Sequence, residues 1–338
     1  MMKKARSFKT FVACSGIGID VSKAELVIVG LLDTHDIIKA ITNTDKSIKV
    51  FAKQLSESGY QGKIICESTG HYHLKLAVIC EAYGLNLIVI NPLQASKHSQ
   101  SKIRKVKSDP VDAHTLAMMC ITERKLPKAA QITPAKALIK LKMGQLASLE
   151  KQLQKINQSR QQYESTYEEL GFEWGDAQQQ LKKLCQELKK VKEQLTKELD
   201  TLLIAAQPSE KAVESLQRIP GFSKTVSALV GYLDRDVKSA DSWVAYMGYD
   251  VSVRQSGTWK GRGKLTKRGN AYLRKRLFQA AWGACLNYDY IRAYYDALKA
   301  KGRNHVEAVV IIARKLIKIA YHILTTQTQF DKNQTIFA

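Results

Sequence analysis

GIGIDVSKAELVIVGLLDTHDIIKAIT, residues 16–42, holds three short runs of largely β-branched and aliphatic residues separated by turn formers. The runs are GIGID (16–20), ELVIVGLL (25–32) and HDIIKAIT (35–42). Such side chains suit a pleated, half-buried surface, and the close spacing predicts a three-stranded meander. Working outward, NTDKSIKVFAKQLSESG (43–59) predicts a helix capped by Asn43 or Thr44 and closed at Gly59. KIICEST (63–69) predicts a strand, HYHLKLAVICEAYG (71–84) a helix ending on glycine, and LNLIVINP (85–92) a buried strand stopped by Pro92.

A meander followed by helix, strand, helix and strand is the layout of a ribonuclease-H-like (RuvC-like) α/β domain, expected over residues 15–130 behind an N-terminal tail, 1–14. Four acids stand out within it. Asp20 closes the first strand, Glu67 ends a later one, and Asp109 and Asp112 open a helix in KSDPVDAHTL (107–116). Asp109 suits the N-cap with Pro110 at the first helical position, which puts Asp112 at the third. Both carboxylates then sit at one helix end. The two could be a capping pair alone. Read with Asp20 and Glu67, they make a candidate metal centre. Three or four carboxylates can hold two hard cations, Mg²⁺ or Mn²⁺, that clamp the attacking and leaving oxygens of a phosphodiester.

Residues 131–205 differ in texture. From 135 onward they lack proline, and apolar residues recur at helical spacing, as in Leu146, Leu149 and Leu153, then Leu181, Leu184, Leu188, Val191 and Leu195. GFEWG (171–175) interrupts the pattern. Two long helices are expected, as an antiparallel hairpin or an intermolecular coiled coil. Residues 206–326 predict a mostly α-helical domain, followed by a polar tail, 327–338. Within it, LQRIPGFSKTVSALVGYL (216–233) reads as a helix-hairpin-helix, whose turn offers backbone N–H groups to phosphate, or as a plain helical turn.

The chain has 338 residues, 53 Lys and Arg against 31 Asp and Glu, and a formal net charge of +22. That charge calls for a polyanionic partner. A membrane is disfavoured, because the most apolar late stretch (306–324) is broken by Glu307, Arg314, Lys315 and Lys318. The first sixteen residues have no apolar core of signal-peptide length, so a cytoplasmic location is expected. None of the six cysteines falls in a CxxC pair, which argues against zinc knuckles and disulfide frameworks.

GIDVSK, CESTG, INP and KSDPVDA, taken with LQRIPGFSKTVSALV and with RQSGTWKGRGKLTKRGNAYLRKRLFQAAW (254–282), resemble the DEDD transposases of insertion sequences, the family that includes the Piv-type DNA invertases. The resemblance spans roughly residues 16–325. It implies that Asp20, Glu67, Asp109 and Asp112 are the acidic, metal-binding tetrad, and that Ser256 is a nucleophile joined covalently to DNA. It further implies a coiled coil after the nuclease-like domain, and a helical transposase domain carrying the serine. The partners implied are donor and target DNA, a structured noncoding bridge RNA that selects them, and further copies of the chain in a tetramer, a dimer of dimers. One departure is visible: Val251 stands five residues before Ser256, where the family usually has proline.

The residues around Ser256 suit that role. A serine hydroxyl needs activation, and no histidine lies nearby in sequence. Positive charge is abundant instead. Lys260, Arg262, Lys264, Lys267, Arg268 and Arg274 are interleaved with Gly257, Gly261, Gly263 and Gly269, a composition that lets backbone and guanidinium groups grip a phosphate. Trp259 could stack on a base or anchor packing. A second basic run, KHSQSKIRKVK (97–107), brings Lys102, Arg104, Lys105 and Lys107 up to Asp109 and suits a phosphate backbone. Two alternatives share these features: a metal-dependent nuclease of the Holliday-junction type, which uses only the acids, and a nucleic-acid-binding protein without chemistry.

Overall fold

A computed structural model describes residues 2–4, 7–68, 70–99, 108–206, 210–232, 239–252, 255–256, 259–260, 263–267 and 269–331; at 2, 99, 210, 255, 256, 259 and 260 it describes backbone only. By contacts the chain divides into two compact units, residues 1–141 and 142–338.

The first unit holds β1 (Met2–Lys4), a 3-10 helix (Phe8–Ala13), β2 (Gly16–Val21), β3 (Glu25–Leu31), β4 (Asp36–Thr42), α1 (Asp45–Glu57), β5 (Ile64–Glu67), α2 (His73–Ala82), β6 (Leu87–Ile90), α3 (Pro92–Ser99), α4 (Asp109–Thr122) and the start of α5 (Pro134–Glu169). The sheet order is β1-β4-β3-β2-β5-β6. β2, β3 and β4 form the antiparallel meander, while β5 and β6 run parallel to β2. The two faces of the sheet are unlike. Ile17, Ile19, Leu26, Ile28, Ile64 and Cys66 point into one core with Phe51, Leu55, Leu76 and Ala77 of α1 and α2. The alternate residues Ile65, Ile88 and Ile90 pack with Leu116 and Met119 of α4, and Val27 and Val29 with Ala113. This is the layered α/β arrangement expected for residues 15–130.

Two boundaries need correction. The segment expected as a tail contributes Phe8 and Phe11 to the core and lays β1 parallel along β4. Helix α4 begins one residue earlier than expected. Its N-cap is Ser108, in extended conformation, with Asp109 as the first helical residue. Pro110 is tolerated there because first-turn N–H groups have no partner inside the helix.

The second unit continues with the rest of α5, α6 (Asp176–Ala205), α7 (Glu210–Gln217), α8 (Lys224–Gly231), α9 (Ala240–Tyr246), β7 (Val251–Ser252), β8 (Gln255–Ser256), β9 (Trp259–Lys260), β10 (Lys264–Leu265), α10 (Ala271–Asn287), α11 (Asp289–Ala300) and α12 (His305–Thr326). The turn between α5 and α6 passes through Gly171, whose φ of +68° suits glycine. Lys142 pairs with Glu198, and Gln178 donates to the Tyr167 hydroxyl, so the two long helices run antiparallel against each other. The division into units falls inside α5 rather than at 130 and 205. Ala137 belongs to the first core. Further along, the buried Glu150 carboxylate receives Lys275 and Arg276 of α10, at 2.7 and 2.6 Å.

All six cysteines are buried thiols. Burial pushes Cys120 and Cys285 up to about 11, and Cys14 and Cys66 up to about 12. Among the described residues, no helix is long and apolar enough to cross a membrane.

Candidate functional site

Strand parity decides where the acids point. Side chains alternate across a strand, so Gly16, Gly18 and Asp20 share the face opposite Ile17 and Ile19. That face carries α4. The neighbouring parallel strand pairs Ile19 with Cys66, which places Glu67 beside Asp20 on the same face and at the same end.

The glycines of β2 form the seat of α4. A Cβ at Gly16 would lie 2.5 Å from Cys120 Cβ, and one at Gly18 would lie 2.0 Å from the Ala113 carbonyl oxygen and 2.2 Å from the Ala117 nitrogen. Positions 120, 117 and 113 are successive turns of one helical stripe, and Asp109 continues it one turn on. The helix therefore runs along β2 in register with 16, 18 and 20, and its N-terminus arrives over Asp20. Gly18→Ala is expected to lift α4, since backbone atoms cannot move aside. A loss of about 2 kcal/mol in unfolding free energy, read from urea unfolding, with impaired DNA chemistry, is the expected outcome; unchanged stability would show that the close contact is not sustained.

The field at Asp20 reports the convergence. Its carboxyl is pushed up to about 6, first by burial, then by the charges of Asp109, Asp112 and Glu67, against a lowering hydrogen bond from the Val21 backbone. Asp20 thus lies within electrostatic reach of the other three expected acids at one end of the sheet. Among the described residues, no three His, Cys, Asp or Glu side chains are drawn together tightly enough to form a ready ligand shell. The donor set is nonetheless all carboxylate, and its mutual repulsion is of the kind a divalent cation relieves. Asp20, Glu67, Asp109 and Asp112 are the residues that would hold such an ion.

Nearby histidines have other roles. His114 pairs with Asp36 of β4 at 3.2 Å, His73 is buried, and His71 lies against Tyr72 with ring centroids 4.6 Å apart.

In the second unit, Ser256 lies on a β-hairpin that the sequence reading treated as a loop. β8 pairs with β9, Ser256 opposite Trp259, and β7 pairs with β10, Ser252 opposite Lys264. The Ser252 hydroxyl donates to the Lys264 carbonyl at 2.9 Å. At the hairpin root, a Cβ on Gly269 would sit 2.2 Å from the Tyr246 carbonyl oxygen. Arg274 donates to the Gly269 carbonyl at 3.2 Å, and the buried Tyr249 hydroxyl donates to the Arg274 carbonyl at 2.7 Å. Arg274, expected to touch nucleic acid, is thus engaged in holding the root. The N–H of Val251 goes to the Asp250 carboxylate at 2.8 Å rather than into the ladder, so this position can exchange with proline without losing a strand bond.

Lys264 and Lys267 are exposed, the latter with φ +53°. Lys260 is described in backbone only, and Lys102, Arg104, Lys105, Lys107, Arg262 and Arg268 lie outside the described residues. The Ile219–Phe222 turn, where Gly221 has φ +79°, is pressed on α10: a Cβ at Gly221 would lie 2.0 Å from the Ala280 carbonyl oxygen.

The seat glycines were missed from sequence. Small residues at 16 and 18, in phase with an acid at 20, are the signal that could have found them.

Known proteins share both halves. A family model for DEDD-type IS110 proteins, described as "Transposase", matches residues 17–168, and one described as "Transposase IS116/IS110/IS902 family" matches residues 213–296. A Streptomyces coelicolor protein described as "Insertion element IS110 uncharacterized 43.6 kDa protein" is 28% identical over 133 residues, 38% of this chain. The aligned part of the chain spans 32% of that relative's length.

Proposed function

We propose that this chain, which matches family models of IS110-type transposases over residues 17–168 and 213–296, moves an insertion sequence by cutting and rejoining DNA. The observation that supports the reading is that Asp20 feels the charges of Glu67, Asp109 and Asp112 at one sheet end. A divalent ion held there would act as a Lewis acid on a phosphodiester. The chain's own part is to hold the ion, orient the strand and supply the nucleophile.

In the proposed reaction the Ser256 hydroxyl loses its proton and attacks phosphorus. The bond to one sugar oxygen breaks, and that oxygen leaves as a protonated hydroxyl. The phosphodiester is conserved as a serine–DNA ester, so the same exchange with a second strand's hydroxyl rejoins DNA without an outside energy source. The basic loop around Ser256 would bear the charge that develops on the phosphate. The net charge of +22 also suits a second polyanion, in line with a structured guide RNA. Leu184 and Val191 stay exposed on α6, as the seam of a coiled coil between copies in a tetramer would require. A cytoplasmic site of action belongs to the same proposal.

The test is a covalent trap. The protein, DNA from the ends of its element, its noncoding RNA and Mg²⁺ are combined and run on a denaturing gel. Trypsin cutting after Arg254 and Lys260 frees the peptide QSGTWK, residues 255–260. A nucleotide adduct on that peptide is the expected result. Cut DNA with free ends and no adduct would replace the serine recombinase with a water-using nuclease.

A further inference from the structure

On the opposite side of the same sheet end lies a cavity of about 610 Å³, within the range of small-molecule sites. Its lining includes Lys23, Asn43, Tyr72, Lys75, Val78 and Leu138. We propose that this cavity receives one unpaired nucleotide of the DNA strand being processed at the acidic site. The inference rests on the nuclease reading of that site, and it names what the site holds beside the scissile bond.

Placement is the first argument. Lys23 lies in the turn after β2, Asn43 directly follows β4, and Tyr72 follows β5. Those loops leave the sheet at the end where Asp20 and Glu67 close β2 and β5. The acids and the cavity therefore open at the same end of the sheet.

Chemistry is the second argument. Tyr72, with the His71 ring 4.6 Å away, and the side chains of Val78 and Leu138 give aromatic and aliphatic walls that suit a base. Exposed Lys23 and Lys75 set two ammonium groups at the rim, where the phosphate of the same nucleotide would lie. Asp45 on the rim is already paired with Lys49 at 2.8 Å.

Asn43 ties the rim together. It is only 7% exposed, and its Nδ2 donates to the carbonyls of Ser22 and Tyr72, at 2.8 and 3.5 Å. The Lys75 ammonium donates to the Asn43 carbonyl at 2.8 Å, which holds that lysine beside the cavity. An apolar helix seated in the groove would cover the walls but would leave the two lysines without a counter-charge.

The test uses the full chain in EDTA, so no cleavage is needed, and a DNA duplex with a single unpaired 4-thiothymidine. After near-ultraviolet irradiation, the cross-linked tryptic peptide is sequenced. The expected product is peptide 64–75, modified at His71 or Tyr72. The yield should fall about tenfold in Leu138→Glu, which puts a carboxylate where the cavity offers the base an apolar wall. Lys75→Glu should weaken the bulged duplex but not the fully paired one. Cross-links elsewhere, equal yield in Leu138→Glu, equal yield from the fully paired duplex, or cross-linking confined to an RNA of the same sequence would each overturn the proposal. The covalent trap in Mg²⁺, run separately, reports whether the nuclease and recombinase reading fails on its own account.

Discussion

Asp20→Asn is expected to abolish DNA chemistry and, without divalent ions, to make the protein more stable. The activity loss should be on the order of 10³-fold or more, since one acid of a shared metal site is removed. The stability gain follows from linkage. The Asp20 carboxyl is held at about 6 in the fold, above its ordinary value of 3.8. Its contribution to stability is therefore present in full below about pH 4 and is lost as pH rises through about 6. Above that, the folded state bears a charge it disfavours. Asparagine never takes the charge. The variant should match the parent at pH 4 and exceed it at pH 8 by about 1 kcal/mol, allowing for solvent around a half-buried group. Mg²⁺ should narrow the gap by stabilising only the parent. Thermal unfolding at the two pH values, with EDTA and with Mg²⁺, checks all three statements. An Asn variant less stable at pH 8 would mean that the four carboxylates do not repel one another.

Glu150→Ala is expected to destabilise the second unit by about 3 kcal/mol. Glu150 is 8% exposed and receives Lys275 and Arg276. Lys275 is exposed enough to turn to solvent once freed. Arg276 is not: its side chain is 19% exposed and leans on the Tyr272 ring, 4.8 Å from the guanidinium carbon. An unpaired, largely buried guanidinium costs about 3 kcal/mol. The unfolding free energy of the second unit, read from its urea transition, should fall by that amount. Glu150→Gln, which keeps the volume and one acceptor, should lose less. If alanine costs under about 1 kcal/mol, the pair is no tie between α5 and α10 but a surface contact.

Residues 16–42 were readable because the sheet is buried asymmetrically. Isoleucine at 17 and 19 against glycine at 16 and 18 is a period-two signal. The long helices were readable from spacing, and GFEWG marks the turn between them. The start of α4 slipped by one residue because serine and aspartate are both good caps and proline is accepted at either following position. β1 was not legible: three residues, two of them lysine, pair only because β4 offers an edge. The hairpin around Ser256 escaped for a similar reason, since two-residue strands with polar and glycine neighbours carry no alternation. As for the acids, their identity could be read from sequence, but their convergence needed the parity of β2 and β5 together with the seat of α4.

The buried cysteines give the chain a silent chemical background. A thiol reacts as its thiolate, and burial keeps the thiols of Cys14, Cys66, Cys120 and Cys285 protonated near neutral pH. A maleimide offered to the folded protein finds little to attack. One cysteine introduced at an exposed position such as Lys151 then becomes the site that takes a dye. The native protein can be watched by fluorescence on labelled DNA without first stripping out its own sulfur.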